Sequence, residues 1–200
     1  MPHADSAFLP DSIQTKSEFW DHVHLQLSAL LDGQRYWVSN LSNAASLIYS
    51  SLLGFPKYFG ESDKAVNWAG FYIRGDLFPI SRISSQSLLP ADQLLLGPFC
   101  GKPACQFIPV ASGKERGVCA AAYVKRETIV VPDVEEYPGH IACDGETKSE
   151  IVCPLILEHG GRVTILGVLD LDCLALNGFG EEDRVGLEKV AKLVVDSSDW

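Results

Sequence analysis

Residues 150–173 constrain the fold more than any other part of the chain. Two apolar runs, 150–157 and 163–173, flank the turn sequence Glu158-His159-Gly160-Gly161. Both alternate in the manner of β-strands, so an antiparallel hairpin is expected. Successive strand residues point to opposite faces of a sheet. Asp170 and Asp172, in the run VLDLD, therefore share a face with Leu166 and Val168, while Leu169, Leu171 and Cys173 take the other. Two acids on a strand face are ordinary where that face meets water. The apolar remainder of this strand instead implies burial on both sides, which makes the pair a candidate for a pocket.

A second strand at 67–73 reads NWAGFYI and puts Trp68, Gly70 and Tyr72 on one face. Gly70 between two rings leaves a slot above the backbone; plain aromatic core is the competing reading. Further strands are expected at 93–99, stopping at Gly97-Pro98 or soon after, and at 128–131, with a short apolar segment at 105–110. Helices bracket these strands. Ser17 is placed to cap a first helix that carries Phe19, Trp20, Val23, Leu27, Leu30 and Leu31 and that Gly33 ends. Asn40 is placed to cap a second, with Leu41, Ala44, Ala45, Ile48 and Leu52 on one face and Gly54 and Pro56 closing it. An Ala-rich helix at 118–125 and an amphipathic helix at 181–195 complete the set. Residues 132–147, with Pro138, two glycines and several acids, read as loop. Residues 1–15 are polar and contain proline, which suggests a disordered arm ahead of a single domain at 16–200. Helices at both ends with hairpin-like strands between them point to an α+β domain. Its central antiparallel sheet would carry the N- and C-terminal helices on one face and a loop-covered ligand pocket on the other.

Charge narrows the function. A net charge of −10 argues against nucleic acid and against an anionic membrane as partners. No run approaches the length of a membrane span, and the start MPHADSAFLP lacks a basic region followed by an apolar stretch, so a cytoplasmic protein is expected, with the nucleus also open to it. In such a compartment the six cysteines are expected to be mostly reduced.

Three of those cysteines lie in the segment 105–150, at Cys105, Cys119 and Cys143, with intervals of 14 and 24 residues and no C-x-x-C pair. A thiol that is oxidised and then captured by a second thiol is redox chemistry, and a thiol-redox catalyst is the leading reading. Other constellations fare worse. His140 stands three residues before Cys143 with Asp133 upstream, but hydrolase triads assemble from distant segments. Cys100, Cys105, Cys119 and Cys143 would supply four zinc ligands, yet they lack the usual knuckle spacing, so no metal and no cofactor is expected. The Gly-x4-Gly-Lys-Ser/Thr order of a phosphate loop is missing. Cys153 and Cys173 fall in apolar strands and read as core.

The segments NWAGFY, GPF-C-GKPAC, GVC, VPDV-EEYPGHIACD-GETKSEIV and GVLDLD resemble the free methionine-(R)-sulfoxide reductase family, whose fold is a GAF domain. The resemblance runs from about Asn67 to Val194. It implies a GAF-like sheet and reduction of free methionine (R)-sulfoxide. Cys143 matches the attacking residue, whose thiolate would displace methionine and become a sulfenic acid. Cys119 or Cys105 would then close a disulfide, and thioredoxin would reduce it. Glu150, Asp170 and Asp172 match the pocket acids: one would protonate the sulfoxide oxygen, the others would take the ammonium of a free amino acid. Trp68 and Tyr72 match pocket aromatics that would pack on the S-methyl group. A peptide-bound residue has an amide in place of that ammonium, which accounts for selectivity towards the free amino acid. Homodimerisation through the terminal helices is compatible with a GAF domain. The chain departs from the pattern in the insertion ASGKER at 111–116, in Cys100 where the family commonly has Gln, and in an extended EHGGRVT hairpin. The alternative is a non-catalytic GAF module that binds a small ligand and signals; it leaves the three cysteines unexplained.

Overall fold

The structure, a computed structural model, describes residues 7–78, 91–111, 116–141 and 143–200. In chain order it contains α1 (Lys16–Leu31), α2 (Trp37–Leu53), β1 (Val66–Arg74), β2 (Gln93–Gly101), β3 (Phe107–Pro109), α3 (Gly117–Lys125), β4 (Ile129–Val131), β5 (Ser149–His159), β6 (Arg162–Cys173) and α4 (Glu181–Asp196). The strands form one antiparallel sheet in the order β3-β2-β1-β6-β5-β4. This is the α+β architecture, an antiparallel sheet with the terminal helices on one face, that the sequence implied.

The sheet divides two cores. On one face, Phe19, Trp20 and Leu27 of α1, Leu41 and Ile48 of α2, and Leu187, Val190 and Val194 of α4 pack with Ala69, Phe71, Ile151, Leu169 and Leu171 of the central strands. On the other face, Trp68, Tyr72, Val152 and Val168 meet Val118, Cys119, Ala120 and Ala122 of α3 and Val134 of the 132–147 loop. The central strands are thus buried on both sides, as their apolar composition requires. Cys153 and Cys173 lie in or beside the helix-side core at 2% and 0% exposure, which fits their reading as packing residues. Ile13, in the segment expected to be an arm, is buried against the same core, while residues 1–6 of that arm lie outside the described residues.

Three local expectations are corrected. Thr15, not Ser17, caps α1: its hydroxyl accepts from the Glu18 amide at 3.2 Å while the Glu18 carboxylate accepts from the Thr15 amide at 2.9 Å. The acid three residues on completes a capping box, which Ser17 followed by Trp20 cannot form. The second helix starts at Trp37, and Asn40 sits fully buried inside it. Its side-chain N–H groups reach the carbonyls of Gln34 and Ser197 and the hydroxyl of Ser198 instead, pinning α2 to the end of α4. Leu166 faces the helix-side core rather than joining Val168, Asp170 and Asp172. The β5–β6 pairing steps from Leu155↔Gly167 to Ile156↔Ile165, leaving Leu166 as the extra residue of a bulge, which reverses the alternation. The strand expected at 93–99 ends soon after Gly97-Pro98, at Gly101, and these two residues oppose Phe71 alone at another bulge, where a missing N–H is tolerated.

Candidate active site

Strand register builds the floor of the site. Glu150 of β5 lies opposite Asp172 of β6, and Val152 opposite Asp170. On the far side of β6, Trp68 and Gly70 of β1 lie opposite Asp172 and Asp170. Three acids, two from one strand and one from its neighbour, therefore meet on the face away from α1, α2 and α4. All three line a cavity of about 80 Å³. Glu150 and Asp170 are buried at 5% and 6% exposure.

The walls come from three other elements. The first turn of α3 brings in Cys119, buried, whose Sγ donates to Asp170 Oδ2 at 3.2 Å. The segment between β2 and β3 contributes Cys105, and the Tyr72 hydroxyl donates to its carbonyl at 3.1 Å, holding that segment over the floor. The loop after β4 contributes His140 and Cys143. Cys143 Sγ lies 3.1 Å from Cys105 Sγ. All six cysteines are free. A disulfide needs sulfurs about 2.05 Å apart, so a shift of roughly 1 Å would close this pair.

The three carboxyl groups are shifted by burial and by one another. Burial, followed by repulsion from Glu150, holds the Asp170 carboxyl well above the ordinary carboxylate range. Burial and Asp172 do the same to Glu150, and burial with Asp170 and Asp144 does it to Asp172. The floor consequently holds its protons to higher pH than ordinary carboxyls do and can donate them. Cys119 is also raised well above its usual value, by burial first and then by Asp170 and Glu150. Cys143 is exposed as a residue, but its sulfur faces Cys105 and the cavity, and lost hydration pushes the thiol up to about 12. Attack by this sulfur must therefore be coupled to removal of its proton.

Two features of the site were not foreseen from the sequence. His140 pairs with Glu150, Nε2 to Oε2 at 3.2 Å, and burial lowers its imidazole below the usual range, so it is neutral at pH 7. The weighed Cys-His-Asp set does not assemble: Asp133 accepts from the Glu135 amide within its own loop. Asp144, next to Cys143, is held by Asn67 Nδ2 at 3.1 Å and Lys102 Nζ at 3.0 Å, and this anchors the loop that carries the thiol. Lys102 stands in GKPAC and Asn67 in NWAGFY, but nothing in their spacing joins them to Asp144.

The aromatics differ in placement. Tyr72 lines the cavity; Trp68 stands behind it, stacked between Tyr72 at 5.8 Å and Phe99 at 5.5 Å. The slot expected over Gly70 is filled. A Cβ there would lie 2.3 Å from Phe99 Cβ and 2.7 Å from Trp68 Cη2, so the glycine admits rings, not ligand. Cys100 is half-buried and free. The four-cysteine zinc set does not gather among the described residues; the potential ligands that do cluster are Cys119, Glu150 and Asp170. Residues 112–115 of the ASGKER insertion lie outside the described residues.

With the geometry in hand, the chain can be set beside known proteins. The sequence pattern of the GAF domain matches residues 26–195. The chain is 43% identical over 192 residues to a free methionine-R-sulfoxide reductase of Saccharomyces cerevisiae, covering 96% of this chain and 92% of that one. It is 36% identical over 188 residues to the protein of the same name from Escherichia coli, covering 92% and 93%. Among solved structures it superposes, with a TM-score of 0.71 and 33% identity, on the free methionine-R-sulfoxide reductase of Neisseria meningitidis in complex with its substrate, covering 96% and 95%.

Proposed function

The chain belongs to the free methionine-R-sulfoxide reductase family, built on the GAF domain, and from that premise we propose that it reduces free L-methionine (R)-S-oxide through Cys143 and Cys105. The observation that carries this reading is the contact between those two sulfurs beside three proton-holding acids.

The ammonium of the substrate binds Asp170 and Asp172. Asp170 Oδ1 is buried without a hydrogen-bond partner among the described residues, an acceptor suited to an incoming N–H donor. The sulfoxide oxygen takes the Glu150 proton. His140 holds that carboxyl in place. Cys143 sulfur attacks the substrate sulfur as its own proton passes to the acids, so no free thiolate has to persist. The S–O bond of the substrate breaks as its oxygen, now a hydroxyl, passes to Cys143 Sγ; the transient bond between the two sulfurs breaks with both electrons going to methionine, and Cys143 is left as a sulfenic acid. The Cys105 thiol then attacks Cys143 Sγ. The S–S bond forms, the S–OH bond breaks, and water departs. A dithiol of the thioredoxin class returns both thiols by exchange. Cys119, donating to Asp170 on the floor, helps keep that carboxyl oriented and takes no part in the disulfide. Such a cycle runs in a reducing compartment, which supports the cytoplasm as its place.

The test is a thioredoxin-coupled assay with resolved methionine sulfoxides. The (R) form of the free amino acid is expected to turn over, and the (S) form and the peptide-bound residue are not. Binding of the (R) form by fully reduced protein without turnover would leave a ligand-binding GAF module.

A further inference from the structure

The floor of the cavity combines groups that the reaction uses one at a time, and their arrangement suits a different guest. Cys119 Sγ, a Glu150 oxygen and an Asp170 oxygen all lie within 4.8 Å of one another, and all three residues are buried. Tetrahedral zinc, with Zn–S of about 2.3 Å and Zn–O of about 2.1 Å, sets its ligand atoms roughly 3.5 Å apart. Cys119 and Asp170 already stand at 3.2 Å. A second observation points the same way: Asp170 lines the cavity, and its Oδ1, buried and unpartnered among the described residues, offers a lone pair that no protein donor meets. Of the cations nearby, Lys102 is engaged by Asp144 and Glu146, and Arg116 lines the cavity wall.

We infer that Cys119, Glu150 and Asp170 form a binding site for a borderline-soft divalent cation, zinc above all, that occludes the substrate's ammonium position. One thiolate with two carboxylates is a donor set that zinc or cobalt fills and magnesium does not. Three protein ligands leave the fourth position to water from the cavity. Binding releases the thiol proton and the carboxyl protons, so affinity rises with pH. The metal brings positive charge to a floor whose acids otherwise repel one another. Zinc thereby holds the reductase inactive without touching Cys143 or Cys105. The metal site stands on geometry alone, whereas the competition with substrate rests on the function proposed above.

Cobalt titration of the reduced, metal-free protein under anaerobic conditions tests the site without turnover. A thiolate-to-cobalt charge-transfer band saturating at one equivalent is expected, with zinc displacing it and magnesium leaving it. Cys119→Ser should abolish the band. Glu150→Gln should weaken cobalt binding by at least about tenfold, since even the partners of a ligand commonly matter that much. A Cys143→Ser, Cys105→Ser double variant should keep the band. Absence of the band, or its loss in the double variant with survival in Cys119→Ser, overturns the assignment. Circular dichroism of each variant separates loss of binding from loss of fold. In the Cys143→Ser, Cys105→Ser double variant, which cannot reduce it, methionine (R)-sulfoxide should raise the apparent dissociation constant for cobalt; a constant value would overturn the shared position while the band still reported the metal site.

Discussion

The sulfur of Cys143 lies 3.1 Å from that of Cys105, across 38 residues of sequence, while Cys119, between them in the chain, turns its sulfur to Asp170. The pairing follows from two anchors. Tyr72 holds the carbonyl of Cys105, and Asn67 and Lys102 hold Asp144 beside Cys143. Proximity in space thus separates the thiols into a contacting pair and a floor residue, a division the intervals along the chain leave open.

That division predicts the products of oxidation. After one equivalent of methionine (R)-sulfoxide, peptide mapping by mass spectrometry should find a Cys105–Cys143 disulfide in the parent protein and in Cys119→Ser. Cys105→Ser should release one methionine per chain and stop at a trappable sulfenic acid on Cys143. Cys143→Ser should lose turnover by at least about a thousandfold, as removal of a nucleophile does elsewhere. Recovery of a Cys119–Cys143 bridge from the parent protein would refute the division.

His140 pairs with Glu150 at the cavity wall, and its proposed part is to position that carboxyl. In His140→Leu the carboxyl loses its partner but keeps its burial. We expect kcat to fall about 10- to 100-fold, within the usual span for disturbed acid catalysis, with KM moving far less. Steady-state kinetics read both; a fall in KM affinity alone would make His140 a binding residue instead.

The buried acids should destabilise the protein they serve. Asp170 has its folded pKa raised by burial, so its favourable contribution is complete below the unfolded value of about 3.9 and is lost as pH climbs towards the folded value. Asp170→Asn removes that loss. Its melting temperature should match the parent's near pH 4 and exceed it increasingly towards pH 8, by about 2–4 °C for each kcal/mol recovered. Turnover should drop at the same time. Calorimetry across this pH range, showing equal melting temperatures throughout, would contradict the raised value.

Gly70 should tolerate no side chain. An added Cβ meets Phe99 Cβ at 2.3 Å and Trp68 Cη2 at 2.7 Å, both held in a stacked aromatic row. Overpacking of this kind costs about 1–3 kcal/mol, so Gly70→Ala should lower the urea midpoint with the slope unchanged. An unaltered midpoint would mean that the row slides aside freely.

Local periodicity carried much of the fold. Alternation along β6 placed Asp170 and Asp172 together on one face, and helical spacing placed Phe19, Trp20, Val23 and Leu27 in the core, as the structure has them. Such patterns are legible because each strand or helix must bury one set of its own side chains. The misreadings have a different origin. Leu166 changes face through a bulge created by the register of two strands, and Asn40 is buried by the end of a helix some 157 residues away.

By itself, the sequence determined the elements, the two faces of the sheet and the supply of thiols and acids, all properties of neighbours along the chain. Only the tertiary structure decided that Cys105 meets Cys143, that His140 meets Glu150 and that Cys119 meets Asp170. Loop closure sets those contacts, and a closed loop is fixed by what anchors its two ends in space rather than by the residues within it.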